Sequence, residues 1–150
     1  MKHYISAGAL VVKAGQVLLV RHHDPGRFDF WAPPGGGVEN EEELADAAKR
    51  ETFEETGIVI EVKSLAYIDE LIDQSGRLVK FWFVAKYVSG QIDVSANPAK
   101  GEMTVDAGWF SKDALPDGHV FPDVLRDRFW RDLEDEFAAT IKLPLRQSIF

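Results

Sequence analysis

GGVENEEELADAAKRETFEETGI, residues 36–58, is the stretch from which the rest of the chain is read. It opens as a glycine-rich turn and passes into a helix loaded with carboxylates. Pro33, Pro34 and Gly35 belong to the same turn. The prolines restrict the entering backbone, and the glycines let it bend sharply and approach a ligand closely. Asn40 is placed to cap the helix, with Glu43 three residues on as its capping-box partner. Gly57 ends the helix as a left-handed cap. At about 100° per residue, Leu44, Ala45, Ala48 and Thr52 share one arc, expected to face a core. Glu51, Glu54 and Glu55 fall together on the neighbouring arc. Like charges at that spacing repel and destabilise a bare helix, so something positive is expected beside them. A hard divalent cation such as Mg²⁺ takes carboxylate oxygens, waters and substrate phosphates as ligands. Arg50 reaches Glu54 one turn on and is positioned to orient it.

This stretch resembles the Nudix box. In words, that pattern is Gly, five residues, Glu, seven residues, Arg-Glu, an aliphatic residue, any residue, Glu-Glu, any residue, Gly, aliphatic. Gly36, Glu42, Arg50-Glu51, Glu54-Glu55, Gly57 and Ile58 fill those places without a spacing error. Thr52 departs, standing where the family prefers an aliphatic side chain. It is close to Val in shape but carries a hydroxyl, so packing is touched and the chemistry is not. An acidic amphipathic helix after a turn is the alternative reading, and so many spaced identities argue against it.

The resemblance implies an α/β fold, the Nudix-type α/β/α sandwich around a mixed β-sheet, with residues 1–150 as a single domain. It implies metal-dependent hydrolysis of a nucleoside diphosphate linked to another group X, with Mg²⁺ or Mn²⁺ as cofactor. Glu51 and Glu55 would be the main metal ligands, Glu54 would share the metals or act as base, and the Gly35 carbonyl would complete the shell. Glu42 is given a supporting role at the helix start. The family often adds a carboxylate shortly before a Trp-Phe pair such as Trp109-Phe110. Glu102 is the candidate for it, as ligand or base, with Asp106 as its rival.

Composition agrees with a globular protein: 45% hydrophobic and 28% charged residues. The chain holds no cysteine, which excludes disulfides and thiolate metal sites and fits a reducing, cytoplasmic setting. No apolar run reaches membrane-spanning length. Lys13 and Gln16 interrupt the apolar N-terminal stretch, which reads as two strands and a turn rather than a signal peptide. The net charge of −8 repels a polyanion, so a small phosphorylated nucleotide is the expected partner and a nucleic-acid polymer is not.

Outside the box, residues 3–12 and 17–21 read as a hairpin of strands. Residues 22–30, centred on Asp24-Pro25-Gly26, read as a solvated loop. Arg21 and Arg27 flank the glycine turn in sequence and are candidates to grip substrate phosphates bidentately; the other reading makes them surface arginines. Residues 58–72 read as two strands, and residues 78–88 as a central strand with Trp82 in the core. Residues 121–141 carry Val124, Leu125, Phe129, Leu133, Phe137 and Ile141 at helical spacing and read as an amphipathic helix. The apolar tail is expected to dock on the body or on a second copy, as a homodimer.

Substrate markers that some family members carry about 15 to 18 residues past the box, a proline or a tyrosine, are absent from residues 73–76. This favours a nucleoside triphosphate, MutT-like substrate. Two rivals remain: a Nudix-like sensor that binds a nucleotide or nucleotide sugar without cleaving it, and an RNA decapping enzyme. The sensor is disfavoured by the complete set of glutamates, the decapping enzyme by the acidic charge.

Overall fold

The computed structural model describes residues 1–95 and 103–150. Its long strands are β1 (Lys2–Lys13), β2 (Gln16–Asp24), β5 (Val59–Asp73) and β6 (Gly76–Ser89). Shorter strands are β3 (Phe28–Ala32), β4 (Gly35–Gly37), β7 (Thr104–Phe110), β8 (Ile141–Lys142) and β9 (Arg146–Gln147). The helices are α1 (Leu44–Thr56) and α2 (Phe129–Glu134). The strands form one mixed sheet in the order β3-β2-β1-β6-β5-β8, with β4 beside β1, β7 beside β2 and β9 beside β5. β1 and β6 run parallel, while β5 and β6 are antiparallel.

Alternation along the strands sends side chains to two opposite cores. On one face Ala7, Ala9, Val11, Leu18, Ile60 and Ala85 pack against Ala47 and Ala48 of α1. On the other, Leu10, Leu19, Tyr67 and Trp82 pack against Leu125, Phe129, Trp130 and Phe137. This is the expected α/β/α sandwich, with Trp82 in the core and β6 central.

Several local expectations are corrected. Helix α1 begins after Glu43, whose side chain makes no capping bond, and Asn40 is a left-handed turn residue (φ 47°) rather than a cap. Residues 22–30 are not a solvated loop: β2 continues to Asp24 and β3 starts at Phe28, their register running from Val20↔Ala32 to Asp24↔Phe28. Residues 58–72 contain one long strand, irregular in register around Val62, Leu65 and Tyr67, not two.

The largest difference lies in residues 121–141. They form a short 3₁₀ turn (Asp123–Arg126), the six-residue α2, and a left-handed turn at Glu136 (φ 56°) and Phe137 (φ 49°). Leu125, Phe129 and Phe137 are buried all the same. The apolar spacing marked the buried residues correctly, but not one continuous helix. The tail docks on the body, through β8 and β9 in parallel pairing with β5.

Candidate active site

The glycine strand β4 lies antiparallel to β1, Ala7 opposite Gly36 and Gly8 opposite Gly35. The Ser6 hydroxyl donates to the Gly36 carbonyl at 2.8 Å and anchors it there. Helix α1 packs beneath with Ala47, Ala48, Thr52 and Thr56 buried. Glu51 and Glu55 are buried as well, at 4% and 0% exposure. The packed arc and the acidic arc therefore overlap, contrary to the picture of two separate faces. Thr52 is a packing position: its hydroxyl donates back to the Ala48 carbonyl at 2.8 Å. Gly57 ends the helix in the left-handed conformation (φ 77°), its N–H donating to Phe53 O.

Arg50 organises the carboxylates. Its guanidinium grips Glu42 bidentately, Nη2 to Oε1 at 2.7 Å and Nε to Oε2 at 3.1 Å. Nη1 donates to Glu51 Oε1 at 2.9 Å and to Glu54 Oε2 at 3.1 Å, and Nη2 also reaches the Gly37 carbonyl at 3.0 Å. The Glu42 and Glu51 carboxylates, Glu42 foremost, raise the guanidinium's pKa above its ordinary value against the opposing effect of burial, and Arg50 in turn holds the Glu42 carboxyl below its own. Glu42 thus has the supporting role expected of it.

Burial pushes the Glu51 carboxyl up, and the hydrogen bond from Arg50 opposes that without cancelling it. Its second oxygen, Oε2, is buried without a hydrogen-bond partner. A buried carboxylate oxygen lacking a donor is costly, and a hard cation is the group that would satisfy it. Gly36 leaves the space: a Cβ there would sit 2.5 Å from Glu51 Cδ. Glu55 accepts from the Gly35 N–H at 2.8 Å through Oε1, and its Oε2 lies 3.9 Å from His22 Nε2. Glu54 is the most exposed of the three, its side chain 29% accessible. Among the described residues no three metal-ligating side chains converge on one point, and Arg50 holds one oxygen each of Glu51 and Glu54. The donors are nevertheless all carboxylate oxygens, those of Glu51 and Glu55 buried and that of Glu54 more accessible, and the set fits a divalent cation of the Mg²⁺ or Mn²⁺ kind.

Two residues outside the candidate site set stand here. His22, set aside with residues 22–30 as part of a solvated loop rather than as a metal ligand, is one, and the continuation of β2 brings it there. Lys80, on β6, is the other. Its Cε lies 3.0 Å from where a Gly35 Cβ would project, and its Nζ sits 4.4 Å from the Trp82 ring centre. Burial pushes the Lys80 ammonium down while Glu55, Asp69 and Glu51 pull it up. Nothing in the local sequence marks Lys80, because only the pairing of β6 with β1 carries it to the turn.

Each of the proposed phosphate arginines is paired with a carboxylate. Arg21 forms a fork with Asp29, at 2.9 and 2.8 Å, and lines a cavity of about 340 Å³ with Trp31 and His119. Side-chain alternation turns it away from His22. Arg27 pairs with Asp24 at 2.9 Å and is 75% exposed, at the rim of a larger cavity of about 730 Å³ that Lys80 and Trp82 also line. Asp106 is exposed on β7, and its carboxylate accepts from the Ala107 N–H at 2.8 Å. Glu102 lies outside the described residues.

Residues 2–129 match the family model of the NUDIX domain. The chain belongs to the Nudix hydrolase family. An NAD-capped RNA hydrolase NudC of Chromobacterium violaceum is 38% identical over 109 residues, 71% of this chain and 37% of that protein. An ADP-ribose pyrophosphatase of Methanocaldococcus jannaschii is 27% identical over 114 residues, 75% of this chain and 64% of that protein. This Nudix chain therefore spans less than two thirds of the length of either curated relative. The crystal structure of a MutT NUDIX hydrolase from Burkholderia pseudomallei superimposes with a TM-score of 0.68 at 29% identity, covering 81% of this chain and 92% of that one. No helix among the described residues is long and apolar enough to cross a membrane.

Proposed function

We propose that this Nudix chain hydrolyses the pyrophosphate bond of a nucleoside diphosphate linked to a group X, with a nucleoside triphosphate as the leading substrate. The observation that carries this reading is the buried Glu51 carboxylate, open at Oε2, beside Glu55 and under a glycine turn. Glu51, Glu54 and Glu55 would hold the divalent ions, Mg²⁺ or Mn²⁺, with the Gly35 carbonyl completing the set and Glu102 as a further ligand. When bound, such ions neutralise phosphate oxygens, polarise phosphorus and lower the pKa of water.

The protein's own part is positioning. Arg50 fixes the Glu51 and Glu54 carboxylates from one side. The Gly35 amide fixes Glu55 from another. Glu54, the most accessible of the three, is suited to take the proton of the attacking water. That water adds its oxygen to one phosphorus while the bridging oxygen departs with the other. The products are a nucleoside monophosphate and phosphorylated X, or pyrophosphate where X is phosphate. Lys80 adds a cation beside the reacting phosphates, a role that suits a strongly hydrated point charge. A single domain over residues 1–150 accounts for the site, since β1, β4, α1 and β6 all contribute to it.

Phosphate or nucleoside monophosphate release from nucleoside triphosphates, nucleotide sugars, ADP-ribose and dinucleotides, with Mg²⁺, Mn²⁺ or EDTA, tests this reading. Because one relative is named for NAD-capped RNA, capped RNA belongs on the panel despite the net charge of −8. Metal-dependent turnover that is lost in both Glu54→Gln and Glu55→Gln supports the assignment. Full activity in either variant removes that glutamate from the mechanism. Tight nucleotide binding with no turnover of any substrate favours the sensor.

A further inference from the structure

The cavity of about 730 Å³ is lined both by rings, among them Phe28, Phe30 and Phe150, and by the cations Lys80, Arg27 and Arg146, and its size is that of a small-molecule site. It approaches the glutamates at two points. Lys80 lines it and packs against the glycine turn, its Cε 3.0 Å from where a Gly35 Cβ would project. His22 stacks on Phe30 at 5.0 Å and lies 3.9 Å from Glu55. Its rings form one connected wall. Phe150 is stacked on Phe30 at 5.8 Å and 28°, and its edge contacts place Phe28 at 6.5 Å and Phe121 at 6.3 Å.

The tail is held there by bonds that do not involve Phe150. The Ser148 N–H donates to Ile72 O at 2.8 Å, and Arg146 pairs with Asp69 at 3.2 Å. Phe150 keeps 45% of its surface exposed while lining the cavity. A half-exposed aromatic ring in a cavity that also holds Lys80 matches a ligand that is aromatic in one part and polyanionic in another.

Resting on the hydrolase reading above, we propose that Phe150 determines specificity. It completes a base-stacking wall with Phe28 and Phe30, so the substrate lies with its base against the tail and its phosphates at Lys80. The substrate class is then a nucleotide recognised through its base, and not a sugar pyrophosphate recognised through X alone. Base stacking tolerates every base, so the wall selects for a base without naming which one.

The test compares the full chain with Phe150→Ala, Phe150→Leu and Phe150→Trp, in Mg²⁺. Equilibrium binding is measured for a nucleoside triphosphate with a non-hydrolysable α,β-methylene bridge and for methylenediphosphonate, which has no base. KM and kcat for the best nucleotide are measured alongside. Phe150→Ala and Phe150→Leu should weaken nucleotide binding and raise KM about tenfold, leaving kcat and diphosphonate binding unchanged. Phe150→Trp should match the wild type. Equal weakening of both ligands, or of neither, overturns the proposal, the first outcome because it marks a structural role only. A shared fall in thermal midpoint for Phe150→Ala and Phe150→Trp would also mark a structural role. The underlying hydrolase reading fails separately, if the wild type turns over no pyrophosphate substrate at all. A wild type that hydrolyses nucleotides but binds them no better than the diphosphonate keeps the hydrolase and removes the base wall.

Discussion

Replacing Gly36 with alanine isolates the space that the site keeps above Glu51. The new Cβ would lie 2.5 Å from Glu51 Cδ and 2.7 Å from both carboxylate oxygens. Ordinary contact begins near 3.4 Å, so the carboxylate must move by about 1 Å, and displacements of that size cost on the order of 100-fold in rate where geometry is decisive. Glu51 is held by Arg50 on one side and buried on the other, so it cannot yield without disturbing the fork that also holds Glu54 and Glu42. Overpacking should cost about 1–3 kcal/mol of stability, which leaves the protein folded. Gly37 is the matched control, one residue on in the same strand, where an added Cβ meets nothing within 4 Å. Turnover and Mn²⁺ binding, the latter by electron paramagnetic resonance, are measured for both variants. Gly36→Ala should lose about 100-fold in kcat and bind Mn²⁺ more weakly, with Gly37→Ala near wild type in both. Wild-type behaviour of Gly36→Ala, or equal damage in Gly37→Ala, would refute the claim that the cation depends on the close approach of Gly36 to the Glu51 carboxylate.

Other substitutions probe the supports. Arg50→Lys keeps a positive charge but cannot serve Glu42, Glu51, Glu54 and Gly37 O with one planar fork; a fall in Mn²⁺ affinity and a loss of about 1–3 kcal/mol in urea unfolding are expected. Thr52→Val removes a hydroxyl that only bonds back to Ala48 O, so kcat should stay within twofold, roughly, and a large loss would give Thr52 a part in the chemistry. For Asp132, burial pushes the carboxyl up, but the hydrogen bonds from Arg128 and Tyr67 outweigh it and hold the pKa below its ordinary value. A depressed folded-state pKa gives stability that is present above the ordinary carboxylate range and lost as pH falls through it. Thermal midpoints measured from neutral to acid pH should therefore converge for wild type and Asp132→Asn as pH drops; a constant gap between them would show that Asp132 contributes nothing through its charge.

The box was legible because its chemistry is local. Glu51, Glu54, Glu55 and Arg50 lie within two helical turns, so helical periodicity alone brings them together. Gly57 was equally legible, since a left-handed cap is a property of one residue. The second half of the chain was read less well. Its apolar spacing picked out Leu125, Phe129 and Phe137 correctly, but a short 3₁₀ turn, the brief α2 and the left-handed Glu136 and Phe137 bury the same residues without a long helix. Spacing reports burial, and burial is compatible with more than one backbone path.

The sequence by itself determined the family resemblance and the cluster of carboxylates, because both rest on patterns within about twenty neighbouring residues, and the α/β/α sandwich followed from that resemblance rather than from strand alternation. Only the tertiary structure decided which cations and rings face that cluster. Arg21 and Arg27 are near the glycine turn in sequence, yet Asp29 and Asp24 hold them. Lys80 is distant in sequence, and parallel pairing of β6 with β1 sets it opposite Ser6, beside the turn. Phe150 is more distant still, and reaches the cavity because β9 pairs with β5. Such contacts depend on strand pairing between remote segments, a long-range choice that no local pattern encodes.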